Sequence, residues 1–264
     1  KGREVRIDST VVESNIHHPS DSSLLYDSVR VLSRILGANR LRFTNHCRRA
    51  KRRMMAVINA RKQKQRVAAY KDLLKVTAKT VGYAQPGIEQ LEQRGDLQSL
   101  AACMELKRFA CLATRVMEQC RRRLIEGQTV PAAEKVVSIF EEHTDIIIKD
   151  SRDTHYGHKI CLTGGASNLI LDCVILDGNP ADSNLVEQML DRQKEIYGRY
   201  PLKVALDGGF ASKDNLAKAK ERKIKDVCFA KKRGLNVEDM CRSQWVYNRL
   251  RRFRAGIESG ISWI

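Results

Sequence analysis

Hydrophobic periodicity divides the chain into three zones. Arg3 to Ser14 (REVRIDSTVVES) is short and rich in Val and Ile, which predicts a strand. From Asp21 to about His143 apolar residues recur at three- and four-residue steps. Leu25, Val29, Leu32 and Leu36 follow the N-capping candidates Asp21, Ser22 and Ser23. Cys103, Leu106, Ala110, Ala113, Met117, Cys120 and Leu124 make the best-defined stripe, and Gly127 and Pro131 punctuate its end. Such steps keep side chains on one seam of a helix, so a packed bundle or hairpin is expected, with the stripe as core.

From about Asp145 the pattern changes. Lys159–Thr163 and Leu169–Leu176 read as strands, with Gly164-Gly165-Ala166-Ser167-Asn168 as a hairpin turn between them. Pro180 to about Tyr197 reads as helix, Leu202–Leu206 as strand, Ser212–Arg222 as helix, Val227–Ala230 as strand, and Asp239 onward as mostly helix. This order predicts an α/β fold with a mixed sheet flanked by helices. The first zone would supply its initial strand (residues 1–20), residues 21–144 an all-helical, basic insertion after it, and residues 145–264 the remainder of the sheet domain.

With 264 residues, 42% of them hydrophobic, the chain can bury a core. No apolar run approaches the roughly 18–20 residues of a membrane span and no signal peptide opens the sequence, so a soluble, intracellular protein without a membrane partner is expected. The start at Lys1 and the stop at Trp263-Ile264 fit an excised catalytic region. The eight cysteines include no C-x-x-C pair, and most sit in apolar periodic stretches. They read as reduced core residues rather than a disulfide or zinc framework.

Charge changes the picture more. Lys and Arg number 48 against 31 Asp and Glu, a net charge of +17, which biases the partner toward nucleic acid. Between Ser28 and Lys71 there is no acid at all, while Arg30, Arg34, Arg40, Arg42, Arg48, Arg49, Lys51, Arg52, Arg53, Arg61, Lys62, Lys64 and Arg66 all fall there. Like charges stacked on a helix repel. The run is either a solvated face or a surface whose counter-charge comes from a phosphate backbone, which fixes position rather than sequence.

Two acids stand where chemistry would want them. Asp8 lies within the first strand, and Asp207 ends the apolar run Leu202–Leu206 and precedes Gly208-Gly209. A charge in a hydrophobic strand is costly unless paired, solvated or metal-bound, and a strand's carboxyl end is where α/β sites form. An Asp there also serves simply as a turn former. In the last helix, Phe253, Ile257, Ile261 and Ile264 form an apolar stripe while Arg251, Arg254, Glu258 and Ser262 follow a neighbouring face. Glu258 is then either a carboxylate aimed at the sheet edge, with Arg254 holding it or a phosphate, or half of a surface Arg–Glu pair. Other polar candidates read as follows: Tyr156, His158 and Lys159 just before a strand, either within reach of phosphate or simple edge residues, His17-His18 as loop residues rather than zinc ligands, Asp182 at a helix N-terminus, and Lys231-Lys232-Arg233-Gly234 as a basic loop, either near DNA or merely solvated.

Arg6-Ile7-Asp8-Ser9-Thr10, Tyr156-Gly157-His158-Lys159, Val204–Phe210 and Arg254-x-x-x-Glu258-x-x-x-x-Trp263 together resemble bacterial insertion-sequence transposases with a DDE catalytic domain. The resemblance covers the first strand and everything from about Asp145 onward. It implies a ribonuclease-H-like fold with Asp8, Asp207 and Glu258 as catalytic and metal-binding residues, Asp8 on the first strand, Asp207 on or after the fourth, and Glu258 on the last helix. Relatives often carry a Tyr shortly before that arginine, where this chain has Arg251. It further implies two Mg²⁺ (or Mn²⁺) ions, double-stranded DNA at transposon ends and target, a homodimer, and a cytoplasmic, nucleoid-associated location. Arg48, Arg49, Lys51, Arg52, Arg53, Arg61, Lys62, Lys159 and Arg254 are the expected DNA contacts. The rivals are a ribonuclease-H-like nuclease that hydrolyses without joining, and a non-catalytic DNA-binding protein.

Overall fold

The computed structural model describes residues 3–149, 153–167 and 169–261; of 149 and 258–261 only the backbone is described. The chain forms two compact units, one made of Lys1–Ser14 and Ile146–Ile264, the other of Asn15–Asp145.

The first unit is built on a six-stranded mixed sheet. Its strands are β1 (Glu4–Glu13), β2 (Asp145–Lys149), β3 (Asp153–Gly165), β4 (Ile170–Ile175), β5 (Lys203–Leu206) and β6 (Asp226–Phe229). The path runs β2-β3-β1-β5-β6, with β4 also paired to β3. β3 is antiparallel to β1 and β4, whereas β5 is parallel to both β1 and β6. This is the α/β class that the strand and helix order predicts. Two details differ. Asp145–Lys149 is a strand of its own, and β3 begins at Asp153, so Tyr156–Lys159 lie inside it. Asp207 accordingly follows the fifth strand in chain order. Polar residues dominate Asp153–Lys159, which hides a strand from a hydrophobicity criterion. The antiparallel partner supplies the missing stabilisation, since Val12 and Glu13 pair with His158 and Gly157. The hairpin between β3 and β4 is present, and Asn168 in it lies outside the described residues.

Val5 and Ile7 of β1 are fully buried in one cluster with Met189 and Leu190 of α6 (Val186–Tyr197) and Val204 and Leu206 of β5. The period of two along a strand then turns Arg6 and Asp8 to the opposite face, which is covered by α9 (Gln244–Ile261), the helix that follows α7 (Lys213–Glu221) and α8 (Val237–Met240) in the chain. There Ile257 packs with Ile160 and Leu162 of β3.

The second unit consists of α1 (Asp21–Ala38), α2 (Cys47–Ile58), α3 (Gln63–Gly82), α4 (Ala84–Arg94) and α5 (Leu97–Leu124). Leu32, Leu36, Leu73, Leu91 and Leu106 are buried at its centre. The predicted stripe is core: Cys103, Leu106, Ala113 and Cys120 are buried, with Ala110, Met117 and Leu124 packed beside them. The cap of α1 is Ser20 rather than Asp21, its hydroxyl accepting from Ser23 N at 3.1 Å in a reciprocal capping box. Asp21 is buried instead, taking Gln119 Nε2 and Arg123 Nη1, each at 2.8 Å.

Five cysteines, Cys103, Cys120, Cys161, Cys228 and Cys241, are free and buried as expected, but Cys111 and Cys173 face solvent. Among the described residues no helix is long and apolar enough to cross a membrane.

Candidate active site

Parallel pairing brings the first two acids together. In the β1–β5 ladder Ile7 is in register with Leu206. The next residue on each strand is an aspartate, Asp8 and Asp207. β5 stops at Leu206 while β1 runs on to Glu13, so the two carboxylates leave the ladder where the sheet edge opens. Asp8 is 8% exposed. Burial pushes its carboxyl above the usual carboxylate range; Arg254 draws it back down and the neighbouring Asp207 pushes it up again. Ser9 N donates to Asp8 Oδ1 at 2.9 Å.

One guanidinium spans both acids. Arg254 Nη2 lies 2.8 Å from Asp8 Oδ2 and 3.3 Å from Asp207 Oδ1. The position of α9 follows from Arg6, two residues before Asp8 and on the same face. Arg6 is buried, donates from Nη1 to Phe253 O at 2.9 Å and lies 4.9 Å from the centre of the Phe253 ring. Gly256 admits this approach, since a Cβ there would run into the Arg6 guanidinium. The chain thus holds the backbone of residue 253 with Arg6 and the side chain of residue 254 with Asp8. Glu258 lies one turn beyond Arg254 in the helical backbone of α9, and its side chain is outside the described residues.

The opposite face of β1 carries a second polar group. Ser9 Oγ donates to Asp182 Oδ1 at 2.7 Å, and Lys159 Nζ reaches the same oxygen at 2.8 Å and Pro180 O at 2.7 Å. Asp182, expected only at a helix N-terminus, is therefore part of the site's wall, in a short 3-10 turn ahead of α6. No sequence signal marked it, because its partners lie far away in the chain. A signal for Arg6 did exist: a cation two residues before an acid inside an apolar strand. An open cavity of about 710 Å³ is bounded by Asp8, Asp207, Asp182, Lys159 and Arg254, with the loop residues Lys231 and Arg233 also on its wall.

The cations of the basic run lie in the second unit. Arg48, Arg49, Lys51, Arg52 and Arg53 are on α2, and Arg61 and Lys62 fall in the turn before α3. Their counter-charge is partly internal. Arg49 bonds Asp72 Oδ1 on α3 at 2.6 Å and Arg53 pairs with Asp72 Oδ2, while Arg30 pairs with Asp27 at 3.0 Å. The run ends at an acid that folds back onto it, which a linear charge count does not reveal. Among the described residues no acidic partner lies within ion-pair distance of Arg48, Lys51, Arg52, Arg61 or Lys62, all of them exposed.

Residues 121–264 match the Transposase DDE domain family, and the chain belongs to that family. No curated protein and no solved structure gives a match.

Transposases of this family work with divalent metal ions. Asp8 and Asp207 fit one: both are hard oxygen donors, they stand side by side, and among the described residues Arg254 is the one cation paired with both. Burial, with Asp207 beside it, raises the affinity of Asp8 for protons although Arg254 opposes the shift. Among the described side chains no group of three or more His, Cys, Asp or Glu could hold an ion, Glu258 lying outside them.

Proposed function

We propose that this chain is the catalytic region of a DDE transposase that cuts DNA at transposon ends and joins the freed 3′ hydroxyl to target DNA. The observation that carries this reading is the meeting of Asp8, Asp207 and Arg254 at the open end of β5. On this reading the sheet unit is a ribonuclease-H-like domain and the helices of residues 21–144 are an insertion into it. Its mixed sheet, with helices packed on it, is compatible with that assignment.

Asp8 and Asp207, with Glu258 as third carboxylate, would hold Mg²⁺ or Mn²⁺ ions, two in the full site. Such ions supply an activated oxygen nucleophile and neutralise charge on the phosphate and the leaving oxygen. The protein's own part is placement. Arg254 orients both carboxylates before any ion arrives, and Arg6 fixes α9 so that Arg254 reaches them. Lys159, held by Asp182, would meet a phosphate as part of a rigid wall. Arg48, Lys51, Arg52, Arg61 and Lys62 would grip duplex backbone, with Arg49 and Arg53 braced on Asp72. A homodimer, one protomer per transposon end, completes the proposal.

The test is incubation of the chain with Mg²⁺ and a plasmid carrying the DNA that encodes and flanks its own gene. Nicking with joined products supports the proposal, together with their loss in Asp8→Asn at unchanged DNA affinity. Nicks without joined products would leave a nuclease. Equal cleavage by Asp8→Asn would remove the site altogether.

A further inference from the structure

The segment after β6, Ala230-Lys231-Lys232-Arg233-Gly234, carries three cations in a row. They do not share one environment. The last carbonyl of β6, Phe229 O, accepts from Tyr247 Oη of α9 at 3.0 Å, and the Lys232 ammonium sits 5.6 Å from the centre of the same Tyr247 ring. Lys231 and Arg233, on either side, instead line the cavity of Asp8 and Asp207. Lys231 packs across Gly208, the residue after Asp207, where a Cβ would come within 2.8 Å of it. Arg233 (φ 46°) and Gly234 (φ 85°) are both left-handed and turn the chain there.

Every other cation on this cavity is matched by an acid, Lys159 by Asp182 and Arg254 by Asp8 and Asp207. Among the described residues Lys231 and Arg233 have no acid within ion-pair distance, and both are exposed. Two unmatched positive charges beside two carboxylates call for a ligand with negative charge on one side and a metal-seeking oxygen on the other. A lone small anion would be repelled by the aspartates; a chain of phosphodiesters satisfies both. We propose that Lys231 and Arg233 are a two-point clamp on the backbone of the DNA strand whose linkage lies at Asp8 and Asp207, with Lys232 anchoring the loop on Tyr247. This rests on the transposase reading and adds to it the residues that hold the reacting strand.

The experiment compares the parent chain, the double variant Lys231→Gln/Arg233→Asn, and Lys232→Gln, in binding to a short duplex DNA across a salt series and in nicking with Mg²⁺. Asn tolerates a left-handed backbone, so the double variant removes charge without added strain. Losing two phosphate contacts should lower the slope of log affinity against log salt by about 1.8, at about 0.9 per contact. Nicking should fall at least about tenfold, while Lys232→Gln changes the slope by less than about 0.5. A double variant with the parent's slope and nicking rate overturns the clamp alone. A Lys232→Gln slope loss matching the double variant overturns it in favour of undirected charge. A parent chain that neither binds nor nicks overturns the clamp together with the transposase reading.

Discussion

Arg254 Nη2 and Asp8 Oδ2 meet at 2.8 Å although 246 residues separate them in the chain. Between them lies the whole helical unit, so the contact exists only because α9 returns to the strand that opens the sequence. Both side chains are mostly covered, and the same nitrogen extends to Asp207. A buried carboxylate that loses its paired cation becomes costly.

Arg254→Gln should therefore destabilise the metal-free protein by about 1–3 kcal/mol, measured by urea unfolding in EDTA. Mg²⁺ should restore part of this by supplying the missing positive charge, and should raise the thermal midpoint of the parent as well, but not that of Asp8→Asn. If Mg²⁺ leaves Arg254→Gln where EDTA left it, these carboxylates are not the cation's ligands.

Gly157 of β3 pairs with Glu13 of β1, and a Cβ on it would drive into the backbone carbonyl of Val12. Backbone cannot rotate aside as a long side chain does. Gly157→Ala should cost about 1–3 kcal/mol in chemical denaturation, through forced separation of the two strands. A change under about 0.5 kcal/mol would mean that the strands lie farther apart there.

Arg222 donates to Asp191 at 2.8 Å and to Glu187 at 2.6 Å. These hydrogen bonds hold both carboxyls below their ordinary range. A carboxylate with a depressed native pKa stabilises the fold above its ordinary value of about 4 and stops doing so as pH falls through the lower native value. The thermal midpoint of Arg222→Gln should lie below the parent's at pH 7, and the gap should close as pH drops below about 4. A gap that stays constant down to pH 2 would mean the arginine acts through packing alone.

Burial pushes the thiols of Cys120, Cys161 and Cys228 up to about 12 and that of Cys241 to about 11. Thiolate, not thiol, is the nucleophile. A disulfide reagent at pH 8 should therefore react fast with the exposed Cys111 and Cys173 and more slowly with half-buried Cys47, and replacing the first two by Ser should abolish the fast phase. Fast reaction of Cys161 would contradict its place beneath the sheet.

Much of this was legible in residue order. Period-two and period-3.6 patterns found most of the strands and the helical core, because burial of one face demands them wherever they occur. Asp8 and Asp207 stood out as charges in apolar strands, and Glu258 by its place on the last helix. What stayed hidden were partners: Arg6 on Phe253, Asp182 on Ser9 and Lys159, Asp72 under Arg49 and Arg53. Each joins residues remote in sequence, and nothing local records the match.

The division has a physical basis. Secondary structure, helical core and net charge are decided by short-range spacing and composition, which one chain carries in itself. Whether a cation is matched, and by which acid, depends on strand register and helix placement: one residue's slip between β1 and β5 would turn Asp8 and Asp207 to opposite faces. That choice is made by packing across the sheet, and only the folded chain expresses it.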